Sequence, residues 1–514
     1  MKNRRILAFL LAAVSCIFLF TACEKTASAQ TENSVSDFSD IEEKLKTAKF
    51  GLMQGSVAIG HIEENYPNAT IMEFDAVGDA VEALKSNKVD YVMTAYSNAK
   101  NFVRYNKELD IYDGVKFDEK SAMAVRKGNT ELKNKINAIL EGYRSDGTLD
   151  EIIENWLSDD APYDTSGFPA ETNAPVLNVG ISANREPMCF VMDGKYCGLD
   201  CELIERIASD MGMTVKYQDM KFSALIPALD SKKVDVIISN IALTEERAQA
   251  VDFTNAYFDN PQVILFKKAG ASSADDSRSF FEKIQDSFTR TFITENRWKL
   301  VLNGLGVTLI ISICAFIVGS LWGGVICALL RSKRKIANIP ARVYVRLLQG
   351  TPIVVLLMIL YYIIFKDFDI SAIIVAIIGF SLNLGAYTSQ IFKTAIDSVD
   401  KGQIEAASAM GFNKFQVFMK IIFPQAARNA LPVYKGEFIS LVKSTSIVGY
   451  IAIQDLTKVS DIIRSRTYEA FFPLIATAII YFLVTYIFIV LLNVLEKKID
   501  PKRRKRVIKG VDET

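Results

Sequence analysis

The chain has 514 residues and a formal net charge of zero, because 59 Lys and Arg residues balance 59 Asp and Glu residues. This balance gives no electrostatic reason to expect a nucleic-acid partner. The hydrophobic share of 50% indicates membrane spans, whereas one histidine and seven cysteines without a CxxC pair argue against a metal site and a His-based catalytic triad. We expect a membrane protein with no metal, no cofactor and no catalytic centre of its own.

The N-terminus is typical of an export signal, predicted at residues 1–29. Basic residues precede an apolar stretch at positions 6–20 that is short for a membrane span. The letters LFTAC then resemble a bacterial lipoprotein cleavage box, which implies a lipid on Cys23. A rival A-x-A cleavage site at 27–29 and an uncleaved anchor are the alternatives. All three place the next segment outside the cytoplasm.

The polar half of the chain alternates predicted strands and helices. Strands are predicted near 48–52, 69–73, 89–93, 177–182, 214–218 and 234–239. Strands separated by helices are typical of an α/β fold with mainly parallel sheets. In such sheets, ligands bind at the carboxyl ends of strands beside helix N-termini.

Two segments of this half resemble the two lobes of a solute-binding domain from the polar-amino-acid family of ABC importers. Residues 176–268 resemble the first lobe through LNVGIS, GLDCELIERIASDMG, FSALIPALDSKKVDVIISN and LTEERAQAVDFTNAYF. Residues 30–157 resemble the second lobe through AVEALKSNKVDYV and SAMAVRKGNTELKNKINAILEGYRSDGTLDEIIENWL. In the family the first lobe precedes the second, and here it follows.

We infer one circularly permuted, bilobed α/β domain of the periplasmic-binding-protein-like (type II) class. Residues 158–175 then join the old chain ends, because permutation is tolerated where termini are exposed and close together. Strands near 121–126 and 258–267 would still cross between the lobes. Two incomplete fragments, or halves completed by a second chain, are the alternatives.

The resemblance implies a set of ligand-binding residues. Arg247 matches the arginine that clamps an α-carboxylate, because a guanidinium can donate to both carboxylate oxygens; a surface arginine is the alternative. The other candidates by this match are Phe222, Ser239, Asn240, Ala242, Thr244, Ser56 and Val57.

Two positions depart from the family pattern. Ala95 stands where an acidic residue usually holds the ligand ammonium, and Arg185 stands where an aromatic residue is frequent. Losing a carboxylate and gaining a cation predicts an acidic or carboxylate-rich ligand. Alternatively, Arg185 points into solvent.

Residues 269–297 are predicted to form a linker followed by an amphipathic helix at the membrane interface. Its aromatic and aliphatic residues recur at helical spacing among charges: Phe280, Phe281, Ile284, Phe288 and Phe292. A juxtamembrane loop is the alternative.

Residues 298–497 carry five apolar segments long enough to cross a bilayer, which needs ~20 residues each. They lie at 301–330, 343–365, 371–395, 432–455 and 470–495. Basic clusters follow the first segment and fill the tail at 498–514, and both are predicted to be cytoplasmic. An odd number of spans then places residues 30–297 outside a bacterial cytoplasmic (inner) membrane.

The stretch KGQIEAASAMGFNKFQVFMKIIFPQAARNALP resembles the EAA coupling loop of ABC importer permeases. Glu405, Ala406, Ala407 and Gly411 stand at the family spacing. The match implies docking of an ATP-binding cassette ATPase, and a plain amphipathic loop helix is the alternative. No GxxxxGK[ST] phosphate loop occurs in the sequence, so the ATPase is expected in a separate subunit.

The sequence therefore predicts a multidomain chain: a bilobed α/β binding domain plus an all-α membrane domain of five transmembrane helices. The resemblance implies a receptor-permease subunit of an ATP-driven importer for amino acids or related small polar carboxylates. We expect it to work as a homodimer or as a heterodimer with another permease. A ligand-gated channel or sensory receptor is the alternative.

Overall fold

The computed structural model describes residues 41–158, 174–268, 279–368, 370–469 and 471–499. The predicted export signal with Cys23, nearly all of the 158–175 linker and most of the basic tail lie outside the described residues.

The first lobe in chain order, here called the N-terminal lobe, is a five-stranded sheet with helices. Its elements are α1 (Ile41–Leu45), β1 (Lys49–Met53), α2 (Ala58–Asn65), β2 (Thr70–Phe74), α3 (Val77–Lys85), β3 (Tyr91–Ala95), α4 (Tyr96–Tyr105), β4 (Leu109–Phe117) and, much later in the chain, β12 (Gln262–Lys267). The strand order is β2-β1-β3-β12-β4, with β1 parallel to both neighbours and β12 antiparallel to both of its own. Phe50, Leu52 and Ile62 are fully buried in its core.

The second lobe, here called the central lobe, has its own five-stranded sheet. It contains β5 (Lys120–Arg126), α5 (Thr130–Asp146), α6 (Thr148–Leu157), β6 (Val176–Ile181), β7 (Phe190–Met192), β8 (Lys195–Cys197), α7 (Leu199–Asp210), β9 (Thr214–Asp219), α8 (Leu225–Asp230), β10 (Val236–Ile237), α9 (Glu245–Ala250) and β11 (Val251–Asp259). The strand order is β11-β5-β10-β6-β9, while β7 and β8 form a separate hairpin. Val179, Ile207 and Val236 are fully buried between sheet and helices.

The chain crosses between the lobes twice, from β4 to β5 and from β11 to β12. Strand β5, from the N-terminal segment, pairs with β10 and β11 of the central lobe. Strand β12 pairs in return with β3 and β4 of the N-terminal lobe. Each sheet therefore contains a strand from both sequence segments. Residues 120–157, predicted within the lobe 30–157, belong to the central lobe, where 120–126 form a strand of the sheet and 130–157 form helices, and 262–267, predicted within 176–268, belong to the N-terminal sheet.

The membrane half is entirely helical in its described residues. Its helices are α10 (Phe280–Phe288), α11 (Arg297–Leu330), α12 (Lys335–Gly350), α13 (Ile353–Met358) with a π-helical continuation (Ile359–Ile364), α14 (Ala372–Asp397), α15 (Lys401–Ala409), α16 (Lys414–Val417), α17 (Phe423–Ser444), α18 (Leu456–Thr467) and α19 (Phe471–Ile499). Three helical stretches of the described chain, Phe281–Leu330, Ala372–Asp397 and Phe472–Val494, are long and apolar enough to span a membrane. Two bent helix pairs, with bends of 110° and 60°, bring the number to at most five.

Helices α11 and α14 pack closely because glycines line their contact. A Cβ added at Gly319 would lie 2.9 Å from the carbonyl oxygen of Ser381, and one at Gly323 would lie 2.0 Å from the Thr388 hydroxyl. Small residues of this kind let helix backbones approach within a bilayer.

The predicted amphipathic segment contains helix α10, which begins with a capping box between Ser279 and Glu282. The side chains of Phe281, Ile284 and Phe288 are exposed on it, with Phe281 79% exposed. This apolar surface is what the interfacial-helix prediction requires.

Candidate ligand-binding site and coupling surface

A cleft of about 380 Å³ lies between the two lobes, and side chains from both lobes line it. Seven of the predicted ligand-binding residues are among them: Ser56, Val57, Arg185, Phe222, Asn240, Ala242 and Arg247. The fold thus brings together residues up to about 190 positions apart in sequence.

Arg247 spans the cleft from one lobe to the other. Helix α9 begins at Thr244, whose hydroxyl accepts a hydrogen bond from the Arg247 amide at 3.2 Å. The guanidinium donates to the carbonyl of Ala242 at 3.0 Å and to the carbonyl of Gly55, across the cleft, at 2.6 Å. Burial lowers the pKa of Arg247. The side chain therefore faces the cleft and not the outer surface.

Arg185 points into the same cleft and not into solvent, since its side chain is only 7% exposed. Its guanidinium donates to the carbonyl oxygens of Ser239 at 3.2 Å and Asn240 at 3.4 Å. Burial lowers the pKa of Arg185 to about 10, which leaves the group charged at neutral pH. The cleft therefore holds two cations.

Phe222 lies between these two cations. The guanidinium carbon of Arg185 is 4.1 Å from the centre of the Phe222 ring, and that of Arg247 is 5.6 Å away. A ring face attracts cations at such distances. Phe222 thus holds both guanidinium groups towards the cleft.

Two predicted residues, Ser239 and Thr244, do not line the cleft. The Ser239 hydroxyl is fully buried and accepts from the amide of Ser182 at 3.1 Å. Thr244 caps helix α9 as described above. Both position the backbone around the site.

Glu119 is a cleft residue that sequence reasoning missed. It lies in the crossing from β4 to β5, is 7% exposed, and accepts a hydrogen bond from the side-chain amide of Gln262. Burial raises the pKa of Glu119, although Arg185 and Arg247 act to lower it. Ala95, at the position where the family usually has an acidic residue, also lines the cleft. Glu119 therefore supplies a carboxylate to the cleft although position 95 does not. Glu119 has an acidic neighbour in the short connection between β4 and β5, and no sequence motif distinguishes Glu119 from that neighbour.

Asn240 ties both lobe crossings together. Its backbone has a φ of +46°, and its amide donates to the carboxylate of Asp200 at 2.7 Å. Its side-chain oxygen accepts from Ser121, at the start of β5, at 2.7 Å and from Asn260, just after β11, at 3.1 Å. One asparagine therefore joins the cleft wall to both crossing segments.

The predicted coupling residues lie on and just after helix α15. The helix begins at Asp400, whose carboxylate accepts from the Gln403 amide, and it ends in a turn at Gly411 with a φ of +88°. Glu405 and Ala406 are exposed, and Ala407 is buried in a small core with Val417. Exposed apolar side chains continue from this helix into the next: Met410, Phe415, Phe418, Met419 and Phe423. We call Glu405, Ala406 and these five side chains the coupling surface.

Helix α18 and the residues after it contact both lobes of the binding domain. Its ion pairs join Lys458 to Asp219, Arg466 to Glu186 and Arg464 to Asp79. The ring of Tyr468 stacks on Tyr105 of the N-terminal lobe, with 4.6 Å between ring centres. Both lobes of the binding domain are thus held against α18 and Tyr468.

Comparison with known proteins matches each half of the chain to a protein family. Residues 19–159 and 177–299, just over half of it, match the bacterial extracellular solute-binding proteins, family 3. Residues 299–501 match the binding-protein-dependent transport system inner membrane component.

Individual relatives agree with these matches. The probable amino-acid ABC transporter permease protein YckA of Bacillus subtilis (strain 168) is 38% identical over 199 residues, which are 38% of this chain and 88% of that protein. A solved amino acid ABC transporter with histidines is 32% identical and covers 43% of this chain and 99% of its own, with a TM-score of 0.38. The arginine-bound form of domain 1 from TmArgBP is 38% identical and covers 20% of this chain and 86% of its own, with a TM-score of 0.17. The chain therefore belongs to the family 3 solute-binding proteins and to the amino-acid ABC transporter permeases, and it joins the receptor and the permease of an importer in one polypeptide.

Proposed function

We propose that this receptor-permease imports an acidic amino acid, or a related small carboxylate, using ATP hydrolysed by a separate ATP-binding cassette subunit. The observation that carries the proposal is the charge of the cleft. The buried Arg185 and the half-buried Arg247 face one buried carboxylate, Glu119.

The charge count favours a ligand with one net negative charge. An α-amino acid brings a carboxylate, which suits Arg247, and an ammonium, which suits Glu119 in place of the missing acid at Ala95. Arg185 then remains without a counter-charge, and an uncompensated buried cation is costly. A second carboxylate on the ligand would satisfy it.

Ligand binding would act by closing the lobes, because a ligand shifts a conformational equilibrium towards the state that it contacts best. The contact of Arg247 with the Gly55 carbonyl supports a closed arrangement with the lobes in touch across the cleft. The covalent link to the permease would make docking intramolecular, with an effective concentration in roughly the millimolar range for a short linker.

We further propose the membrane topology and the partners. The five spans would be α11, the bent pair α12–α13, α14, α17 with the turn that follows it, and α19, while α18 would lie outside the bilayer against the binding domain. The binding domain would lie outside the cytoplasmic membrane behind a signal peptide with a lipid on Cys23, and the basic tail inside. The coupling surface would dock the ATPase, and two permease domains, identical or not, would form the pore.

The ligand proposal is tested by calorimetry on the purified full-length chain with the twenty L-amino acids. We expect L-glutamate or L-aspartate to bind most tightly. Arg247→Ala should weaken binding about 10- to 100-fold, since a buried hydrogen bond to a charged group contributes ~1.5–3 kcal/mol. Arg144→Ala, which removes an exposed arginine from the same lobe, should leave the affinity unchanged. Tightest binding of L-arginine or L-lysine would refute the acidic-ligand proposal.

A further inference from the structure

A second, small cavity adjoins the cleft on the side of the permease. It has three walls. Helices α3 and α4 of the N-terminal lobe form one wall, residues 184–186 of the central lobe form the second, and α18 with Tyr468 forms the third. It therefore lies between receptor and permease, and we call it the interface cavity.

The interface cavity and the ligand cleft share part of their walls. Val77, Asn98 and Arg185 line both. A solute that leaves the cleft in the direction of α18 passes these three side chains and enters the interface cavity.

Four buried polar atoms in the cavity walls have no hydrogen-bond partner within the described chain. Two are donors, the Nε groups of Arg185 and Arg464, and two are acceptors, Oδ1 of Asn98 and Oε1 of Glu186. Native proteins pair nearly all such atoms, because each unpaired one costs ~1–3 kcal/mol. Four of them around one cavity point to a polar occupant.

The other acidic groups of the cavity have ion-pair partners, although Asp79 and Asp461 share one arginine, Arg464, while Glu82 pairs with Lys85 at 3.0 Å. The unmet demand is therefore for acceptors opposite two guanidinium Nε groups and for donors opposite one carboxylate oxygen and one amide oxygen. One small zwitterion carries both kinds of group.

We propose that the interface cavity is a transfer site, in which the amino-acid ligand is held between receptor and permease. The ligand carboxylate accepts from Arg185 and Arg464, and its ammonium donates to Glu186 and Asn98. Arg185 lines both sites, so the carboxylate that it binds in the cleft keeps this arginine as its counter-charge in the interface cavity, where Arg464 becomes the second donor. The inference rests on the proposed import of amino acids.

A glycine in the cavity wall allows the site to be blocked without disturbing the backbone. Gly78 lies in the first turn of α3 with a negative φ, and a Cβ added there meets no atom within 4 Å. Gly78→Leu therefore fills cavity space. Gly60→Leu is the matched control, because Gly60 is also helical, in the same lobe, with no atom within 4 Å of an added Cβ, and lies outside the cavity. Ser465→Leu fills the cavity from the opposite wall.

The experiment compares binding and uptake in proteoliposomes that contain the full chain and its ATPase. The probe is L-glutamate, or the tightest binder from the calorimetric series if L-glutamate does not bind. Gly78→Leu and Ser465→Leu should keep the calorimetric affinity within about twofold and reduce uptake at least tenfold, while Gly60→Leu leaves both unchanged.

If Gly78→Leu or Ser465→Leu still binds the probe and takes it up at the wild-type rate, the transfer site is overturned. The interface cavity would then be a water-filled gap without a role in transport. Loss of probe binding in both filled variants would also overturn it, since the cavity would then be inseparable from the cleft. Failure of the proposed function is distinguishable, because the wild-type chain itself would then show no uptake of any amino acid.

Discussion

Arg185 and Arg247 share one face of the cleft, and their mutual repulsion is part of the binding chemistry. Burial lowers the pKa of Arg185, and the charge of Arg247 adds to that lowering. Phe222 offsets part of the repulsion by presenting its ring to both cations. An anionic ligand placed between them would remove the rest, so the charges of the cleft favour an anion.

Glu119→Gln should weaken the binding of an amino acid more than the binding of a dicarboxylic acid without an ammonium group. The glutamine keeps the shape and the hydrogen bond to Gln262 but lacks the charge that faces the ammonium. Calorimetry with L-glutamate and glutarate measures the difference. We expect the wild-type preference for L-glutamate to shrink about tenfold in the variant, and an unchanged preference would contradict the role of Glu119.

The buried carboxyl of Asp200 should make the stability of the chain depend on pH. Burial raises the pKa of Asp200 to about 7, above its ordinary value of 3.8. The folded state then binds this proton more tightly than the unfolded state, so stability is fully present at low pH and falls as pH rises from about 4 to about 7. Thermal unfolding of full-length Asp200→Asn should show a smaller loss of stability between pH 5 and pH 7 than the wild type does. An equal loss in both would contradict the assignment.

The candidate cleft residues could be named from the sequence, because the family motifs identify the backbone segments that lie next to the cleft. The match placed Arg247 and Phe222 at the cleft, yet it also included Ser239 and Thr244, which support the backbone from behind. Glu119 was missed because its position depends on a lobe crossing, and the direction of a side chain there follows from tertiary structure.

At the scale of elements, strand positions and the two lobe crossings were predictable, and the neighbours of each strand in its sheet were not. The predicted strands near 48–52 and 177–182 overlap β1 and β6, and the predicted crossing strands near 121–126 and 258–267 overlap β5 and β12. The strands that β5 and β12 pair with could not be predicted, because the pairing partner of a buried apolar strand depends on the whole sheet and not on its own pattern. The number of membrane spans could not be determined from the sequence either, because two of the five predicted segments are bent helix pairs.

Gly411 shapes the end of the coupling helix. The amides of Gly411 and Phe412 donate to the carbonyls of Ser408 and Ala407, which closes α15 in a left-handed turn. Gly411→Ala should destabilise the chain by about 1–2 kcal/mol, since a Cβ at a φ of +88° is strained although no atom crowds it.

Gly436→Ala is the control for this change. Gly436 lies within α17, an added Cβ there also meets nothing within 4 Å, and its φ is ordinary. Thermal unfolding in detergent should show a lower midpoint for Gly411→Ala and an unchanged or higher one for Gly436→Ala. Equal effects of the two changes would show that backbone strain at Gly411 is unimportant.

At the scale of the whole molecule, docking of the receptor on the permease depends on buried charge pairs. Lys458 lies 3.0 Å from Asp219, and both side chains are almost fully buried. No sequence pattern pairs two residues 239 positions apart, so this interface could not be predicted. Its charges are complementary between the halves, which favours one docking geometry.

Lys458→Met should impair docking, because it leaves Asp219 buried without its counter-charge, a loss of ~3–5 kcal/mol for such pairs. We expect probe-stimulated ATPase activity of the complex to fall at least tenfold, while calorimetric binding of the probe to the full chain is retained. The exchange Lys458→Asp with Asp219→Lys should recover part of the activity. If the exchanged variant recovers no ATPase activity and Lys458→Met no longer binds the probe, a role of this ion pair confined to docking would be contradicted.

The order of the elements along the chain decides which lobe carries the connections to the rest of the polypeptide. The described binding domain begins with α1 and ends with β12, and both lie in the N-terminal lobe. The polypeptide that precedes α1 and the polypeptide that leads into the permease therefore both join the same lobe. The central lobe is joined to it by two short crossings, so once its ion pairs with α18 are released it could move relative to the N-terminal lobe without displacing either connection.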